Sequence, residues 1–458
     1  MRFGTDGIRG SANDELTPEL ALALGRAAAR VLVSAGRGRS RFLVGRDTRW
    51  SGPLLQAALS AGLASEGVDV VDLGVVPTPA VAYLAADEGA AAAVISASHN
   101  PYEDNGIKFF LPGGLKLPDR TEEMLEAELE LILGAGPGAR AGSGRRGSDV
   151  GCFSSGPDAL RRYEERLVSC LEGRDLAGLR VVLDCANGAA HRSAPDVFRA
   201  AGAELAAVLG RGPDGTNINR RCGSTDPAAL VEAVRANRAE LGLAFDGDAD
   251  RVIAVSADGQ VVDGDRILAL FAADMHERGV LAGGTVVVTV MTNLGFHRAM
   301  EDLGVKVHTV GVGDRYVLEA LDANGWCLGG EQSGHIVFRS LATTGDGVLS
   351  GLLLADLARR RGAPLHELAA SAMQRFPQVL RNVRVARRDA LGSAEQVWEA
   401  VARAEAELGA DGRVVLRPSG TEPLVRVMVE ARSEAHAGAM AELLVAALHG
   451  ALGGPGQG

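Results

Sequence analysis

One pattern that occurs three times constrains the fold of this chain more than any other feature. Each copy contains an apolar strand, a turn with Gly or Asn, an Ala- and Leu-rich helix, a glycine and a second strand. The copies occupy residues 41–74, 179–210 and 284–311. Gly67, Gly202 and Gly304 directly follow the helical runs, at a position that favours a residue with positive φ. The alternation of strands and helices predicts α/β layers.

Breaks between the copies favour three such domains in series over one large doubly wound sheet, because 458 residues exceed a single core. The Gly-rich segment 134–149 has few core-forming residues and predicts a flexible connection. Further boundaries are expected near residue 256 and within 374–385, and the last segment, with a helix, two strands and a helix, predicts a smaller α+β domain. The predicted domains cover residues 1–149, 150–256, 257–373 and 374–458.

The charge balance and the cysteines exclude several classes of protein. The net charge is −11, so no overall basic field favours a nucleic acid, and an anionic substrate would need a local cationic pocket. Five scattered cysteines, none in a CxxC motif, favour thiols in a reducing cytoplasm over disulfides or zinc. Because we find no apolar leader and no apolar stretch long enough to span a bilayer, we expect a soluble cytoplasmic protein without a membrane partner.

The sharpest chemical signal is the run "AFDGDADRVIAV" at 244–255. Asp246, Asp248 and Asp250 alternate with small residues, so on an extended backbone the three carboxylates would project to one side. Their repulsion favours a cation between them, and carboxylate oxygens suit Mg²⁺. An EF-hand would need glycine and a carboxylate where the chain has Arg251 and Ala257. A metal site is therefore favoured over a solvated acidic turn.

A second signal is the run "VISASHNPYEDNGIKFF" at 94–110. It predicts a strand that ends near Ile95 and a turn, because Pro101 disfavours a helix that starts at His99. We expect Ser96, Ser98, His99 and Asn100 to be exposed on this turn. Alone, such a cluster is more typical of a plain turn than of catalysis.

The run "LRPSGTEPLVRVMVE" at 416–430 indicates a site for phosphate oxygens. A guanidinium, two hydroxyls and backbone N–H groups freed by glycine form a concave set of donors between two strands, and a second arginine follows. The residues are Arg417, Ser419, Gly420, Thr421 and Arg426. A plain Pro–Ser–Gly turn is the alternative, and the lack of other basic clusters in an acidic chain favours phosphate binding.

The run "LGGEQSGHIVF" at 328–338 can turn tightly, so that Glu331, Ser333 and His335 project together. A carboxylate and a hydroxyl at this spacing suit the vicinal hydroxyls of a sugar, although a structural glycine-rich loop is an equal alternative. Weaker candidates are Arg9, Arg46, Arg49, Asp314 and Arg315, which are more typical of structural ion pairs.

The four motifs together resemble the signatures of the α-D-phosphohexomutase superfamily. "ISASHNP", "DGDADR", "GEQSGH" and "RPSGTEP" occur in the family order, one in each predicted domain, so the resemblance covers nearly the whole chain. It implies three similar α/β domains with mixed sheets plus a smaller C-terminal α+β domain, heart-shaped around a central cleft. The runs "FGTDGIRG", "GEQSGH" and "TTGDG" are most similar to the branch that acts on glucosamine phosphates.

The resemblance also implies the chemistry. Ser98 would be a phosphoserine that exchanges its phosphoryl group with glucosamine 6-phosphate, through a sugar 1,6-bisphosphate that also serves as activator, to give glucosamine 1-phosphate. One Mg²⁺ per chain would be bound by Ser98, Asp246, Asp248 and Asp250. Glu331 and Ser333 would bind sugar hydroxyls, and the other phosphate would be bound by Arg417, Ser419, Gly420, Thr421 and Arg426.

The proton carrier stays open among Lys108, Arg9, Arg251 and His335. His99 is expected to stabilise the loop and not to act as a base. The product would feed UDP-N-acetylglucosamine and cell-wall synthesis, and the chain could form a homodimer. Three alternatives stay open: another sugar, a phosphomonoesterase that uses the same serine, and an inactive module that only binds sugar phosphates.

Overall fold

Four β-sheets, each from one stretch of the chain, organise the part that the computed structural model describes, which is residues 7–33, 40–134, 145–418 and 424–454. The first sheet runs in the order β1-β5-β4-β2-β3-β7, with β6 beside β5. Its strands are β1 (Ile8–Ser11), β2 (Arg41–Arg46), β3 (Asp69–Val75), β4 (Ala91–Ile95), β5 (Asp104–Leu111), β6 (Leu115–Lys116) and β7 (Phe153–Ser155).

The second and third sheets are smaller. The second runs β12-β11-β10-β8-β9 and the third β14-β13-β15-β16. The strands of the second sheet are β8 (Arg180–Asp184), β9 (Glu204–Leu209), β10 (Leu241–Phe245), β11 (Val252–Ser256) and β12 (Val261–Val262). The strands of the third sheet are β13 (Thr285–Thr289), β14 (Lys306–Val310), β15 (Leu328–Gly330) and β16 (Ile336–Phe338).

The fourth sheet is fully antiparallel, in the order β17-β19-β18. Its strands are β17 (Gln378–Arg384), β18 (Arg413–Pro418) and β19 (Leu424–Glu430). The sequence analysis predicted β18 and β19 but missed β17, which lies in the run that we assigned to a domain boundary.

Fourteen α-helices in the described residues cover these sheets. We call the first, second and third sheets with their helices the first, second and third units, and the fourth sheet with its helices the C-terminal unit. The helices of the first two units are α1 (Pro18–Leu32), α2 (Gly52–Ser65), α3 (Thr78–Glu88), α4 (Asp119–Gly134), α5 (Ala159–Ser169), α6 (Ala190–Ala200) and α7 (Ala228–Ala236). The remaining helices are α8 (Gly264–Glu277), α9 (Leu294–Asp302), α10 (Asp314–Asn324), α11 (Gly347–Arg361), α12 (Leu365–Ala372), α13 (Glu395–Leu408) and α14 (Glu434–Leu452).

The repeated strand–helix–strand pattern is confirmed, together with its glycine signal. In each copy the helix ends two residues before the predicted glycine: α2 before Gly67, α6 before Gly202 and α9 before Gly304. Their φ angles are +87°, +90° and +71°, in the left-handed region that glycine enters without steric cost. The fold class, mixed α/β sheets plus a smaller α+β unit, is confirmed as well.

Buried apolar side chains form one continuous core through the first three sheets, whereas the fourth sheet has a core of its own. Leu84 on α3, Leu167 on α5 and Leu352 on α11 belong to the shared core. The separate core includes Val427 on β19 and Leu444 on α14. The C-terminal unit therefore shares no apolar core with the rest of the described residues.

The C-terminal unit contacts the third sheet region through buried polar groups. The Glu430 carboxylate at the end of β19 accepts hydrogen bonds from Asn293 Nδ2 at 3.1 Å, from the Leu294 N–H at 2.9 Å and from Arg413 Nε at 2.7 Å. The Asn293 N–H in turn donates to Asp265 Oδ2 at 2.8 Å. Buried polar groups are tolerated when they are hydrogen-bonded, so this contact depends on a complete set of partners.

The domain ranges stay a proposal. The first sheet reaches Ser155 and the second reaches Val262, each beyond the nearest predicted boundary. Most of the predicted flexible segment, residues 135–144, lies outside the described residues.

The expectation that no apolar stretch could span a bilayer is wrong, because one helix is long and apolar enough to do so by its length and composition. Helix α14 has 19 residues and a mean hydropathy of 1.3 over its most apolar window. Its apolar side packs on the fourth sheet, where Ala437, Ala441, Leu444 and Leu448 are fully buried. The core position of these residues explains the high hydropathy.

Burial of Asp265 predicts a pH-dependent stability. Burial and the charge of Asp263 raise the pKa of Asp265 to about 8, despite the hydrogen bond from the Asn293 N–H. An unfolded aspartate has a pKa of ~3.9. Between these values the folded chain keeps a proton that the unfolded chain releases, so the free energy of unfolding falls as the pH rises from about 4 to about 8.

Asp265→Asn should remove this loss of stability. The Tm of the variant minus the Tm of the wild type, measured by calorimetry, should therefore be larger at pH 8 than at pH 5. The exposed Asp302→Asn is the control for removal of a carboxylate from the same region. An equal Tm difference between Asp265→Asn and wild type at both pH values would contradict the prediction.

Candidate active site

The four candidate loops occupy equivalent positions in their sheets, because each connects two neighbouring antiparallel strands. The serine loop lies between β4 and β5, and the aspartate loop lies between β10 and β11. The Glu331 loop lies between β15 and β16, and the arginine loop lies between β18 and β19. In the first three units this antiparallel pair borders strands that run parallel. The fold therefore places one loop at the same point of each sheet.

Ser98 lies against the aspartate loop of the second unit. Its Oγ donates a hydrogen bond to Asp246 Oδ2 at 2.5 Å. The expected exposure of the serines is wrong, because Ser96 and Ser98 are 0% and 1% exposed and pack under the aspartate loop and Arg49. Ser98 has a φ of +50°, a left-handed conformation that costs a non-glycine residue of the order of 1–3 kcal/mol.

The three aspartates converge as predicted, but on a turn and not on an extended backbone. Asp246, Asp248 and Asp250 are buried, and they offer carboxylate oxygens that lie within 4.8 Å of one another. The chain turns directly after β10, and Ala249 takes a φ of +59°. This turn, and not strand alternation, gathers the carboxylates.

The carboxylates of the triad fit a divalent cation. Burial and the charges of Asp250 and Asp248 raise the pKa of Asp246 well above its usual range. Burial acts in the same direction on Asp250, but the charges of Lys108, His335 and Arg251 outweigh it and hold the pKa of Asp250 low. Asp248 Oδ1 and Asp250 Oδ1 are buried and accept no hydrogen bond from the described residues. These buried acceptor oxygens suit Mg²⁺, which prefers oxygen ligands.

Lys108 and His335 bring positive charge to the triad from two other units. Lys108 Nζ on β5 lies 3.2 Å from Asp248 Oδ2 and 3.7 Å from Asp250 Oδ2. His335 Nδ1 lies 3.7 Å from Asp250 Oδ2, and its Nε2 lies 3.5 Å from Asp314 Oδ2. Burial lowers the pKa of His335, but the hydrogen bond and charge of Asp250 and the charge of Asp314 outweigh burial and raise it.

His99 is held next to the serine by Arg251. Arg251 Nη1 lies 3.1 Å from His99 Nδ1, which is 3.4 Å from Ser98 Oγ. Burial, followed by the charges of Arg251 and Arg9, lowers the pKa of His99 to about 4. The imidazole is therefore neutral near pH 7 and a weak base, and its role in stabilising the loop stays a prediction.

The loop of the third unit carries Glu331 and Ser333. The Gly313 N–H donates to Glu331 Oε1 at 3.2 Å, and Ser333 Oγ donates to Glu331 Oε2 at 3.3 Å. Ser333 is exposed and Glu331 is half-buried, so both can reach a ligand. A backbone hydrogen bond from the Val252 N–H, at the start of β11, to the Gly334 carbonyl connects this loop with the end of the aspartate loop.

The C-terminal unit contributes two arginines that face each other on neighbouring strands. Arg417 on β18 pairs directly with Arg426 on β19. Burial and the charge of Arg426 lower the pKa of Arg417, whereas the charge of Glu331 raises it. Like charges opposite each other in a sheet destabilise it, so this pair favours an anionic ligand. Ser419, Gly420 and Thr421 lie outside the described residues.

Two of the weaker candidates form ion pairs between units. Arg315 pairs with Asp119 and Glu122 on α4, and Asp314 pairs with Lys116 on β6. These contacts agree with a structural role. Arg9 lies on β1 next to β5, and its charge lowers the pKa of His99. Arg46 Nε donates to Gln56 Oε1 at 2.7 Å.

Sequence reasoning missed two side chains that hold the site. Thr78 at the start of α3 donates from its Oγ1 to Asp248 Oδ2 at 2.7 Å. Asn219, in the connection between β9 and α7, donates to the Ser98 carbonyl at 2.8 Å. Both partners are more than 100 residues away along the chain, and no local pattern announces such contacts.

Models of protein families match the chain in four consecutive segments. The phosphoglucomutase/phosphomannomutase α/β/α domain I matches residues 1–132 and domain II matches 161–259. Domain III of the same family matches 263–376, and its C-terminal domain matches 380–447.

Curated relatives are similar over nearly the full length. The phosphoglucosamine mutase of Desulforudis audaxviator is 54% identical over 434 residues, which cover 94% of this chain and 94% of the relative. The phosphoglucosamine mutase of Saccharopolyspora erythraea is 55% identical over 450 residues, which cover 97% and 99%.

Solved structures share the fold. A phosphoglucomutase/phosphomannomutase family protein from Burkholderia thailandensis superposes with a TM-score of 0.79 at 28% identity and covers 98% of this chain and 97% of its own. Aspergillus fumigatus N-acetylphosphoglucosamine mutase, in complex with GlcNAc-6P and magnesium, gives a TM-score of 0.67 at 19% identity and covers 98% and 96%.

The raised pKa of Asp246 makes a prediction about metal binding. Asp246→Asn mimics the neutral carboxyl, so the metal-free variant should fold, but it should lose the charge that binds the ion. Adding Mg²⁺ at 100 times its dissociation constant should stabilise the wild type by about 2.7 kcal/mol. We expect this rise in Tm to be absent in Asp246→Asn.

The exposed Asp196→Asn serves as the control and should respond to Mg²⁺ like the wild type. Binding to the wild type should tighten as the pH rises, because Asp246 must lose its proton. An undiminished response of Asp246→Asn to Mg²⁺ would contradict the metal site.

Proposed function

This chain belongs to the phosphoglucomutase/phosphomannomutase family, and we propose that it interconverts glucosamine 6-phosphate and glucosamine 1-phosphate. The observation that carries the proposal is the buried Ser98 hydroxyl, 2.5 Å from the first carboxylate of a metal-type triad. Curated relatives above 50% identity over more than 90% of the chain are phosphoglucosamine mutases, which supports the choice of sugar.

Ser98 acts as the carrier of the phosphoryl group. As a phosphoserine it gives the group to the 1-hydroxyl of glucosamine 6-phosphate, which forms glucosamine 1,6-bisphosphate and frees the serine. After the bisphosphate has turned around in the cleft, its 6-phosphoryl group returns to Ser98 and glucosamine 1-phosphate leaves. The same bisphosphate restores the phosphoserine whenever it has been lost.

Asp246, Asp248 and Asp250 would hold one Mg²⁺ per chain, with a phosphate oxygen on Ser98 as a further ligand. When bound, the ion neutralises negative charge on the transferring group. A mutase must keep water away from the phosphoryl group to avoid hydrolysis, and the low exposure of Ser98, 1%, supports this part of the proposal.

The other two loops orient the sugar phosphate. Glu331 and Ser333 bind vicinal hydroxyls, for which one carboxylate and one hydroxyl 3.3 Å apart are suited. Arg417 and Arg426, opposite each other in the sheet, bind the phosphate that is not being transferred. Ser419, Gly420 and Thr421 complete this phosphate site in the proposal.

The proton carrier is one of four groups: Lys108, Arg9, Arg251 and His335. Lys108 and His335 lie beside triad carboxylates, and Arg251 contacts His99. A general base must reach the hydroxyl that receives the phosphoryl group, so the substrate pose decides among them.

The cellular setting follows from the substrate. We place the protein in the cytoplasm, where it feeds UDP-N-acetylglucosamine and cell-wall synthesis, and its free cysteines agree with a reducing compartment. Its small-molecule partner is a sugar phosphate, and the net charge of −11 does not favour nucleic acid. A homodimer is an open part of the proposal.

The intact mass of the purified chain tests the nucleophile. We expect a fraction with one added phosphate in the wild type and none in Ser98→Ala. Because covalent catalysis depends on this oxygen, the variant should lose mutase activity by a factor of about 10³ or more. Exposed Ser148→Ala is the control and should keep both properties. An active, unphosphorylated Ser98→Ala would point to another nucleophile, and equal rates of free phosphate and isomer would favour a phosphomonoesterase.

A comparison of three substrates tests the sugar. Glucosamine 6-phosphate should be turned over with a kcat/KM about 10-fold or more above glucose 6-phosphate and mannose 6-phosphate, which corresponds to about 1.4 kcal/mol. The measurement is initial rate with each 6-phosphate at equal concentrations of the sugar bisphosphate. Faster turnover of glucose 6-phosphate would refute the choice of glucosamine while leaving the mutase mechanism intact.

A further inference from the structure

The carbonyl groups of the serine loop receive an unusual number of hydrogen bonds from one buried arginine. All five N–H groups of the Arg49 guanidinium donate, and four of them go to backbone carbonyls between Ser98 and Asp104. Arg49 Nη2 donates to the carbonyls of Ser98 and Asn100, both at 2.9 Å. Nη1 donates to the carbonyls of Pro101 and Asp104. The whole turn is thus bound to a single side chain.

The buried Asp47 binds Arg49 and is connected to Ser98 through Ser96. Asp47 Oδ2 accepts Arg49 Nε at 2.9 Å and Ser96 Oγ at 2.6 Å. Ser96 Oγ accepts the Ser98 N–H at 3.0 Å. Asp47, Arg49 and Ser96 are at most 1% exposed, so water does not substitute for any of these contacts. Both sides of the Ser98 residue are therefore fixed, its N–H through Ser96 and its carbonyl through Arg49.

The second unit holds the same carbonyl from the opposite side of the interface. Asn219 Nδ2 donates to the Ser98 carbonyl at 2.8 Å and to the Asn100 carbonyl at 3.1 Å. Gly247, between two triad aspartates, packs on this point, since a Cβ built there would lie 2.4 Å from the Ser98 carbonyl oxygen. The Ser98 carbonyl is thus enclosed by a donor from each of two units.

These contacts explain how Ser98 keeps its strained backbone. With a φ of +50°, the residue would relax to the ordinary region if its flanking peptide groups were free. Two donors on the carbonyl and one acceptor at the N–H fix the planes of both peptide groups. The conformation that they impose is the one in which Oγ lies 2.5 Å from Asp246 Oδ2.

We propose that Arg49 and Asn219 are positioning residues for phosphoryl transfer, which act through the Ser98 carbonyl to aim Oγ at the aspartate triad. This inference rests on the proposed function of Ser98. Neither residue touches the reacting atoms. Asn219 adds a second element: it makes the geometry of the nucleophile depend on the contact between the first and second units.

Asn219→Gly is the sharpest test. Asn219 has a φ of +59°, so glycine fits its backbone and the variant removes the side-chain amide without straining the turn. A small misplacement of a reacting group can cost about 10²-fold in rate. We expect kcat per folded molecule to fall about 10- to 100-fold, while KM for glucosamine 6-phosphate changes less than about 3-fold.

The matched control is Asn13→Gly, an exposed asparagine with a φ of +64° in a turn of the first unit, and its kcat should stay at the wild-type value. Arg49→Lys keeps the charge beside Asp47 but loses the planar fork, so its kcat should fall at least as far as that of Asn219→Gly. In the double variant the two losses should be less than additive, because both act on one carbonyl.

The readout that separates positioning from folding is the rate at which Ser98 gains phosphate from glucosamine 1,6-bisphosphate, followed by intact mass. This rate should fall with kcat in Asn219→Gly, at an unchanged folded fraction by circular dichroism. A kcat within 2-fold of wild type, or a loss explained by the unfolded fraction, would overturn the proposal. If Ser98→Ala keeps full activity, the proposed function itself fails; if only Asn219→Gly is normal, the positioning role alone fails.

Discussion

Three buried carboxylates within 4.8 Å of one another are the interaction on which the rest of the site depends. Such a cluster is costly unless positive charge surrounds it, because buried like charges repel strongly. Lys108 comes from the first unit, Arg251 from the second and His335 from the third, and each lies within 4 Å of a triad carboxylate. The neighbouring units are thus held together partly by the need to compensate one acidic turn.

The loops occupy equivalent places because each connects two neighbouring antiparallel strands of its sheet. A loop between two antiparallel strands has both ends anchored by hydrogen bonds, so side chains near its ends are held closely. Buried strands of the first three units lead into these loops, and the triad aspartates, Arg251 and His335 lie in the loops, at the ends of the strands. Repetition of one α/β unit gives the chain several rigid points from which to assemble a single charged centre.

Features of this arrangement that depend on a single short segment could be predicted from the sequence. The ends of the helices before Gly67, Gly202 and Gly304 could be predicted because glycine favours positive φ at this position. The metal-type triad could be predicted because all its carboxylates lie in one short run of sequence. The burial of Ser98 and the contacts of Asn219 do not follow, because they depend on partners more than 100 residues away. A polar turn after a strand was read as exposed because nothing local indicated that a second unit covers it. Strand β17 was missed for a similar reason, since it is defined by pairing with β19 and not by its own pattern.

The apolar cores place the charged centre and the arginine pair in different parts of the molecule. The first three units share one core, so Ser98, the triad and His335 belong to a continuous packed body that deforms little. The C-terminal unit has a separate core and meets this body through polar groups around Glu430 and Asn293. Glu430 and Asn293 are fully buried, so a hydrogen bond that is broken here without replacement leaves an unsatisfied polar group, at a cost of about 1–3 kcal/mol. Ser98 and the triad therefore lie in the body with the shared core, whereas the arginine pair, which we propose to bind the other phosphate, lies on the unit with the separate core.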